Sequence, residues 1–263
     1  MIALFDSGIG GLTVLAALWR RLGRRDYLYL SDQGHFPYGD RPAEDVRRDV
    51  AAFAALARSE SAEAFVLACN TASALALDAA RDAFGGPVHG VIAPVGRGIG
   101  TAARVGVLAT TNTCGTHAYR GAIGPTVVEV ACPELIALAE AGGASGDDIA
   151  REARGPLAEL KAAGCDAVVL GCTHLPHFTE ALSRLAAGWA RLLDPGELLA
   201  EEFARELPPG NEAGRVTCAT TGDPELFRRR LETELPQLAA DARTCALRHD
   251  DHGSLFVDEA CHG

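Results

Sequence analysis

The segments Ala64 to Thr71, AFVLACNT, and Ala167 to His174, AVVLGCTH, are near copies of one another, and each ends an apolar run on a cysteine. A short run rich in branched residues, bounded by polar ones, suits a buried strand of a parallel sheet, and the thiol then falls where the strand meets its loop. Ligands of such sheets gather at that edge. A duplicated half with one thiol per copy predicts Cys69 and Cys172 placed symmetrically about one cleft. That arrangement suits chemistry that takes a proton from one face of a carbon and returns one to the other, because a single base tends to return the proton to the face it left. The expectation is a two-base racemase or epimerase.

The same alternation runs along the chain. Strand-like runs recur near 2–5, 27–31, 64–68, 88–92, 105–109, 127–131, 167–171 and 190–193, separated by helical patterns, which predicts an α/β fold built on parallel sheets. Between Pro42 and Ser59, Glu44 and Asp45 stand at the positive end of a helix whose apolar face carries Val46, Val50, Phe53 and Ala57. Asp147 and Asp148 start another helix toward Lys161, which Gly155 and Pro156 are expected to kink or split. A second half begins after VHGVIAP, near residue 92, and the helix from Pro195 to Glu206 leads into ELPPGNEAG, which reads as a connecting loop. The tail from Arg215 is expected to return to the first sheet. The predicted domains are therefore 1–92 plus 207–263, and 93–206, with the last residues, HDDHGSLFVDEACHG, frayed.

Composition narrows the function. The chain has 263 residues, 48% of them hydrophobic, and a formal charge of −11, which argues against a broad phosphate-binding surface and so against nucleic acid as substrate. It contains no long apolar span, and its opening MIALFDSG carries no basic leader, so the expected location is the cytoplasm, away from membranes. The eight cysteines are scattered without a CxxC pair, a usage that fits reduced thiols. Among the 24 basic residues only Lys161 is a lysine, and it ends a helix. Pyridoxal phosphate enzymes need a lysine for their Schiff base, so an amino-acid racemase of this sequence is expected to work with no cofactor.

Further candidates cluster at strand ends. FDSGIGGL puts Asp6 and Ser7 after the first strand and Gly8, Gly10 and Gly11 in a tight turn whose backbone N–H groups can hold a carboxylate. A dinucleotide fingerprint finds partial support in Asp32, but Thr13 occupies the third glycine position. A cysteine thiol, with an ordinary pKa of about 8.5, suits proton transfer at carbon after modest tuning, and the helix starts around Asn70, Thr71, Thr173 and His174 can lower it. His174 either assists Cys172 or binds substrate, or it merely caps a helix. Asp6 either polarises Cys69 or pairs with a substrate ammonium, or it serves the turn. Metal ligation by Cys69, Cys172 and His174 matches no compact Cys/His spacing, and no metal is expected. Cys245, His249, His252, Cys261 and His262 are read as a solvated tail.

Together FDSGIGGLTV, SDQGHFPYGDR, ACNTAS, LATTNTCGTHAY, CPELIALAE and LGCTHLP resemble the glutamate racemases, of the cofactor-independent aspartate/glutamate racemase superfamily. The resemblance spans most of the chain. It implies two pseudo-symmetric three-layer α/β/α domains facing each other across the active site, with Cys69 and Cys172 as the proton-transfer pair. It further implies substrate contacts from Asp6, Ser7, Tyr38, Gly39, Asn70, Thr71, Thr173 and His174, hydroxyls from Thr110, Thr113 and Thr116, and Glu140 in support of the second thiol. The implied activity is racemisation of glutamate for peptidoglycan synthesis, with a homodimer as a possible assembly. Racemisation of aspartate or another acidic amino acid, or an inactive binding protein of this fold, are the alternatives. Three positions depart from the family pattern: Ala93, where glutamate is usual, His177, where an aliphatic residue is usual, and Thr116, which replaces a common serine and keeps the hydroxyl.

Overall fold

The computed structural model describes residues 1–102, 104–208, 210, 214–239, 242–250 and 252–258. Among the described residues, eleven strands form two sheets, one of seven strands in the order β11-β10-β9-β2-β1-β3-β4 and one of four in the order β6-β5-β7-β8. The first sheet holds β1 (Ile2–Asp6), β2 (Tyr27–Ser31), β3 (Ala64–Leu67), β4 (Val88–Gly90), β9 (Val216–Thr220), β10 (Ala242–His249) and β11 (Leu255–Val257). The second holds β5 (Val105–Ala109), β6 (Val128–Ala131), β7 (Ala167–Gly171) and β8 (Arg191–Leu193). All pairings are parallel except β10 with β11. The orders β2-β1-β3-β4 and β6-β5-β7-β8 are the same topology, so the repeat seen around the two cysteines extends to four strands in each half.

Each sheet is the middle of three layers. Successive side chains of a strand point to opposite faces: Ile2 and Leu4 pack into one apolar cluster while Ala3 and Phe5 pack into another, and Val168 and Leu170 separate from Ala167 and Val169 in the same way. Residues buried on both faces explain why these strands read as continuous apolar runs. The helix Ala43–Ser59 covers one face of the first sheet with Val46, Val50, Phe53 and Ala57, and Leu12–Leu22 covers the other with Leu15 and Leu18. Leu199, Ala200 and Phe203 of the helix Pro195–Glu206 join that second cluster, so this helix packs on Leu12–Leu22 although it follows the last strand of the second sheet.

Three expectations are corrected. Gly146–Ala162 is one helix despite Gly155 and Pro156. Its buried stripe, Ile149, Ala153, Leu157 and Leu160, passes to one side of the half-buried proline, and a capping box between Ser145 and Asp148 anchors its start. The tail is not simply frayed: β11 closes a hairpin on β10, and Asp250 accepts the backbone N–H groups of His252 and Ser254. Cys261 and His262 lie outside the described residues. Cys69, Cys114, Cys132, Cys165, Cys172 and Cys218 are free thiols, whereas Cys245 is disulfide-bonded, which departs from the expectation of reduced thiols throughout. No helix among the described residues is long and apolar enough to cross a membrane.

Candidate active site

In each sheet the chain reverses its direction of winding beside the repeated strand. From β1 it moves to β2 on one side and to β3 on the other, and from β5 to β6 and to β7 in the same manner. Such a switch point opens a crevice beyond the carboxyl ends of the strands. Cys69 follows β3 and Cys172 follows β7, so each thiol stands at the switch point of its own sheet. The two crevices merge into one cavity of about 190 Å³, lined by both cysteines. That space suits a small organic molecule.

Cys69 caps the helix Asn70–Leu75, its Sγ accepting the backbone N–H of Ala72 at 3.5 Å and its thiol donating to Ser7 Oγ at 3.6 Å. Burial nevertheless pushes the Cys69 thiol up to about 11, reinforced by the nearby Asp6 carboxylate and opposed by the Ala72 N–H. Cys172 is pushed well above its ordinary value, again chiefly by burial, and its Sγ lies 3.8 Å from His174 Nδ1. The expected lowering of both thiols by helix starts is therefore outweighed by desolvation on burial. Burial depresses His174 to about 4, so its ring is neutral, and raises Glu140 to about 7, with Asp6 and Asp40 adding to the effect.

Of the residues singled out from sequence, Ser7, Tyr38, Gly39, Asn70, Thr71, Thr110, Glu140, Thr173 and His174 line this cavity with the two cysteines. Asp6 does not reach it. Fully buried behind the wall, its carboxylate accepts Gly8 N–H at 2.9 Å and the Thr173 hydroxyl at 3.2 Å, and burial raises it to about 6. The turn's N–H groups are thus used in part by Asp6 itself. Thr113 stands one layer back, its Oγ1 within 3.3 Å of the Thr71 hydroxyl and accepting from Thr110 at 2.9 Å. Thr116 is farther still, its hydroxyl donating to Thr113 O and accepting from Ala118 N–H within its own turn. Ala93 and His177 are exposed and do not line the cavity.

Phe36, Pro37, Asp40, Thr111, Pro133, Ile136 and Ala137 also line the cavity, although sequence reasoning passed them over. Most carry no reactive group, and the signal available for them was adjacency to quoted motifs: HFPYGD turns at a cis Phe36–Pro37 bond into the short 3₁₀ helix Tyr38–Asp40. Among the described residues no lysine or arginine lines the cavity, so an anionic occupant would be held there by hydroxyl and N–H donors, while Asp40 and Glu140 would meet an ammonium. Among the described residues, Asp32, His35 and Asp49 bring ligand atoms close enough to share a cation. Asp32 already accepts from Tyr38 and Thr221, and Asp49 from Arg41 and Arg48.

The apposition of the two halves is close. A side chain on Gly10 would place its Cβ 2.6 Å from Thr173 Oγ1 and 2.8 Å from His174 Cε1, so only glycine lets the first-sheet turn approach the second thiol's loop. Residues 13–203 match the Asp/Glu/hydantoin racemase family model. A curated glutamate racemase of Synechococcus sp. (strain CC9605) is 40% identical over 251 residues, covering 90% of this chain and 94% of that protein. Among solved structures, a glutamate racemase isoform of Bacillus anthracis superposes with a TM-score of 0.84 at 28% identity, covering 90% of this chain and 94% of that one. The Francisella tularensis glutamate racemase in complex with D-glutamate gives a TM-score of 0.81 at 29% identity, over 89% and 93% of the two chains. The chain belongs to the Asp/Glu/hydantoin racemase family, and it is similar over most of its length to curated glutamate racemases.

Proposed function

We propose that this chain interconverts L- and D-glutamate without a cofactor, using Cys69 and Cys172 as the two acid–base groups. The observation that carries the reading is that two thiols, at matching ends of two four-strand repeats of the same order, line one cavity. A Cys69 thiolate takes the α-proton of D-glutamate, which leaves a neutral Cys69 thiol and a carbanion whose charge spreads into the α-carboxylate. The Cys172 thiol then gives its proton to the opposite face, which yields L-glutamate and a Cys172 thiolate. The reverse direction exchanges the roles. Hydroxyl and amide donors from Ser7, Asn70, Thr71, Thr110 and Thr173 hold the carboxylates and stabilise the charge that develops between the thiols. Asp6 acts from behind the wall, holding Thr173, and His174 and Glu140 serve the Cys172 side. Lys161 is exposed in the last turn of Gly146–Ala162 and is not part of the cavity wall, which supports chemistry without a Schiff base.

The same reading divides the chain into domains 1–92 plus 207–263 and 93–206, and places it in the bacterial cytoplasm, supplying D-glutamate for peptidoglycan. The deciding experiment follows L-glutamate in D₂O with no added cofactor, by optical rotation and by α-deuterium uptake. Both signals are expected from the unaltered protein, and Cys69→Ala and Cys172→Ala are each expected to abolish racemisation. Full activity in either variant would overturn the two-thiol mechanism, and turnover of aspartate in preference to glutamate would reassign the substrate.

A further inference from the structure

Tyr119, on the helix Ala118–Ile123, has no exposed surface and lines no part of the cavity, yet its hydroxyl donates to Asn70 Oδ1 on the other side of the cleft. Asn70 stands directly after Cys69 and is 3% exposed at the cavity wall. Its amide nitrogen has no hydrogen-bond partner among the described residues. A side-chain amide has an acceptor end and a donor end. With the acceptor engaged from behind, the donor end is the one left for whatever fills the cavity. The arrangement is also permanent over any working pH, since burial and the neighbouring Cys172 hold the Tyr119 hydroxyl well above its ordinary value and keep its proton in place.

We infer that Tyr119 is a positioning residue that fixes the Asn70 amide with its N–H₂ group toward the cavity, where that group binds a substrate carboxylate oxygen. This role rests on the glutamate reading above. It links the second half of the chain to the substrate contact beside the first thiol, without Tyr119 touching the substrate. A purely structural tyrosine would instead matter through its ring, which packs among Ile92, Val95, Val107 and Val169.

Tyr119→Phe keeps the ring and removes only the hydroxyl, leaving Asn70 free to turn. It is expected to raise KM for both glutamate enantiomers about tenfold, equivalent to about 1.4 kcal/mol, with kcat changed by less than about threefold and the pH profile retained. In an Asn70→Ala background the same substitution is expected to move KM by less than about twofold, because the group it orients is gone. Asn70→Asp keeps an acceptor for Tyr119 but presents an acceptor to the cavity, so its KM should exceed that of Asn70→Ala. Equal KM effects of Tyr119→Phe in both backgrounds, or a lowered melting temperature with KM unmoved, would overturn the role. Asn70→Asp binding as well as or better than Asn70→Ala would overturn it independently, even if the phenylalanine variant fails to fold. An active parent protein whose KM ignores Tyr119→Phe sinks this inference alone, whereas a parent inert toward glutamate sinks the functional reading and this role together.

Discussion

Cys69 is buried between the start of its helix and the Asp6 carboxylate, and desolvation of a thiolate there outweighs the Ala72 N–H that would stabilise it. A thiol pushed up to about 11 is mostly protonated at neutral pH, and its base form grows about tenfold for each pH unit below that value. Cys172 is raised as well, so it stays the proton donor as the pH increases. The sign is therefore fixed: kcat/KM, which reports the free enzyme, should rise between about pH 7 and pH 9. Enantiomers in water have equal free energy, so kcat/KM for L- and D-glutamate must coincide at every pH. Any asymmetry between the thiols can appear only in kcat and KM separately. Steady-state rates in both directions across this range check both statements, and a plateau already reached at pH 7 would contradict the raised thiol. Chemistry-bearing residues of this kind were readable from sequence because they follow strands directly. Asp6 was readable as the residue ending the first strand but not as one behind the cavity wall, since its position depends on how Gly8 and Thr173 close over it.

At the scale of elements, β1, β2, β3, β5 and β7 were legible because burial on both faces writes them as apolar runs, which is also why their cavity ends could be located. The helix Gly146–Ala162 was less so. Proline is read locally as a breaker, yet the stripe from Ile149 to Leu160 secures the helix against the second sheet, and tertiary burial prevails over local propensity. The β10–β11 hairpin escaped for a related reason: its pairing depends on the parallel docking of β10 on β9, a contact between distant strands that no short pattern records. The proline still carries a cost, because residue 156 has no N–H to give to the preceding turn. Replacing it by alanine restores that donor in a half-buried position. Pro156→Ala is expected to stabilise the protein by about 1–3 kcal/mol, read as an upward shift of the urea midpoint with activity unchanged. An unmoved midpoint would mean that the helix has already absorbed the missing bond.

At the scale of the molecule, the cavity exists only while the two sheets face each other, and a small set of polar contacts spans them. The Thr173 hydroxyl reaches Asp6 at 3.2 Å, Thr71 and Thr110 share a hydrogen bond at 3.0 Å, and Arg230 donates to the Glu140 carbonyl at 3.0 Å. Asn112 does more than any of these, because its amide nitrogen donates to both Tyr38 O and Arg41 O at 2.9 Å. Those carbonyls flank Gly39 and Asp40, which line the cavity, and Asn112 itself sits on Thr111–Thr116 next to Thr111. The amide thus clasps one rim of the site to the other without entering it. Asn112→Ala removes the clasp and leaves two carbonyls to water. It is expected to raise KM for glutamate about threefold to tenfold and to reduce the gain in melting temperature that D-glutamate confers, since that gain follows RT ln(1 + [L]/Kd). Asn112→Asp should be worse than alanine, because carboxylate oxygens would face two carbonyl oxygens at the same distance. Steady-state kinetics with melting curves in the presence and absence of D-glutamate give the ordering. If aspartate and alanine both behave as the parent protein, closure is set by the packing of the helices Pro195–Glu206 and Leu12–Leu22 instead, and the rim contact is a consequence of closure without being one of its causes.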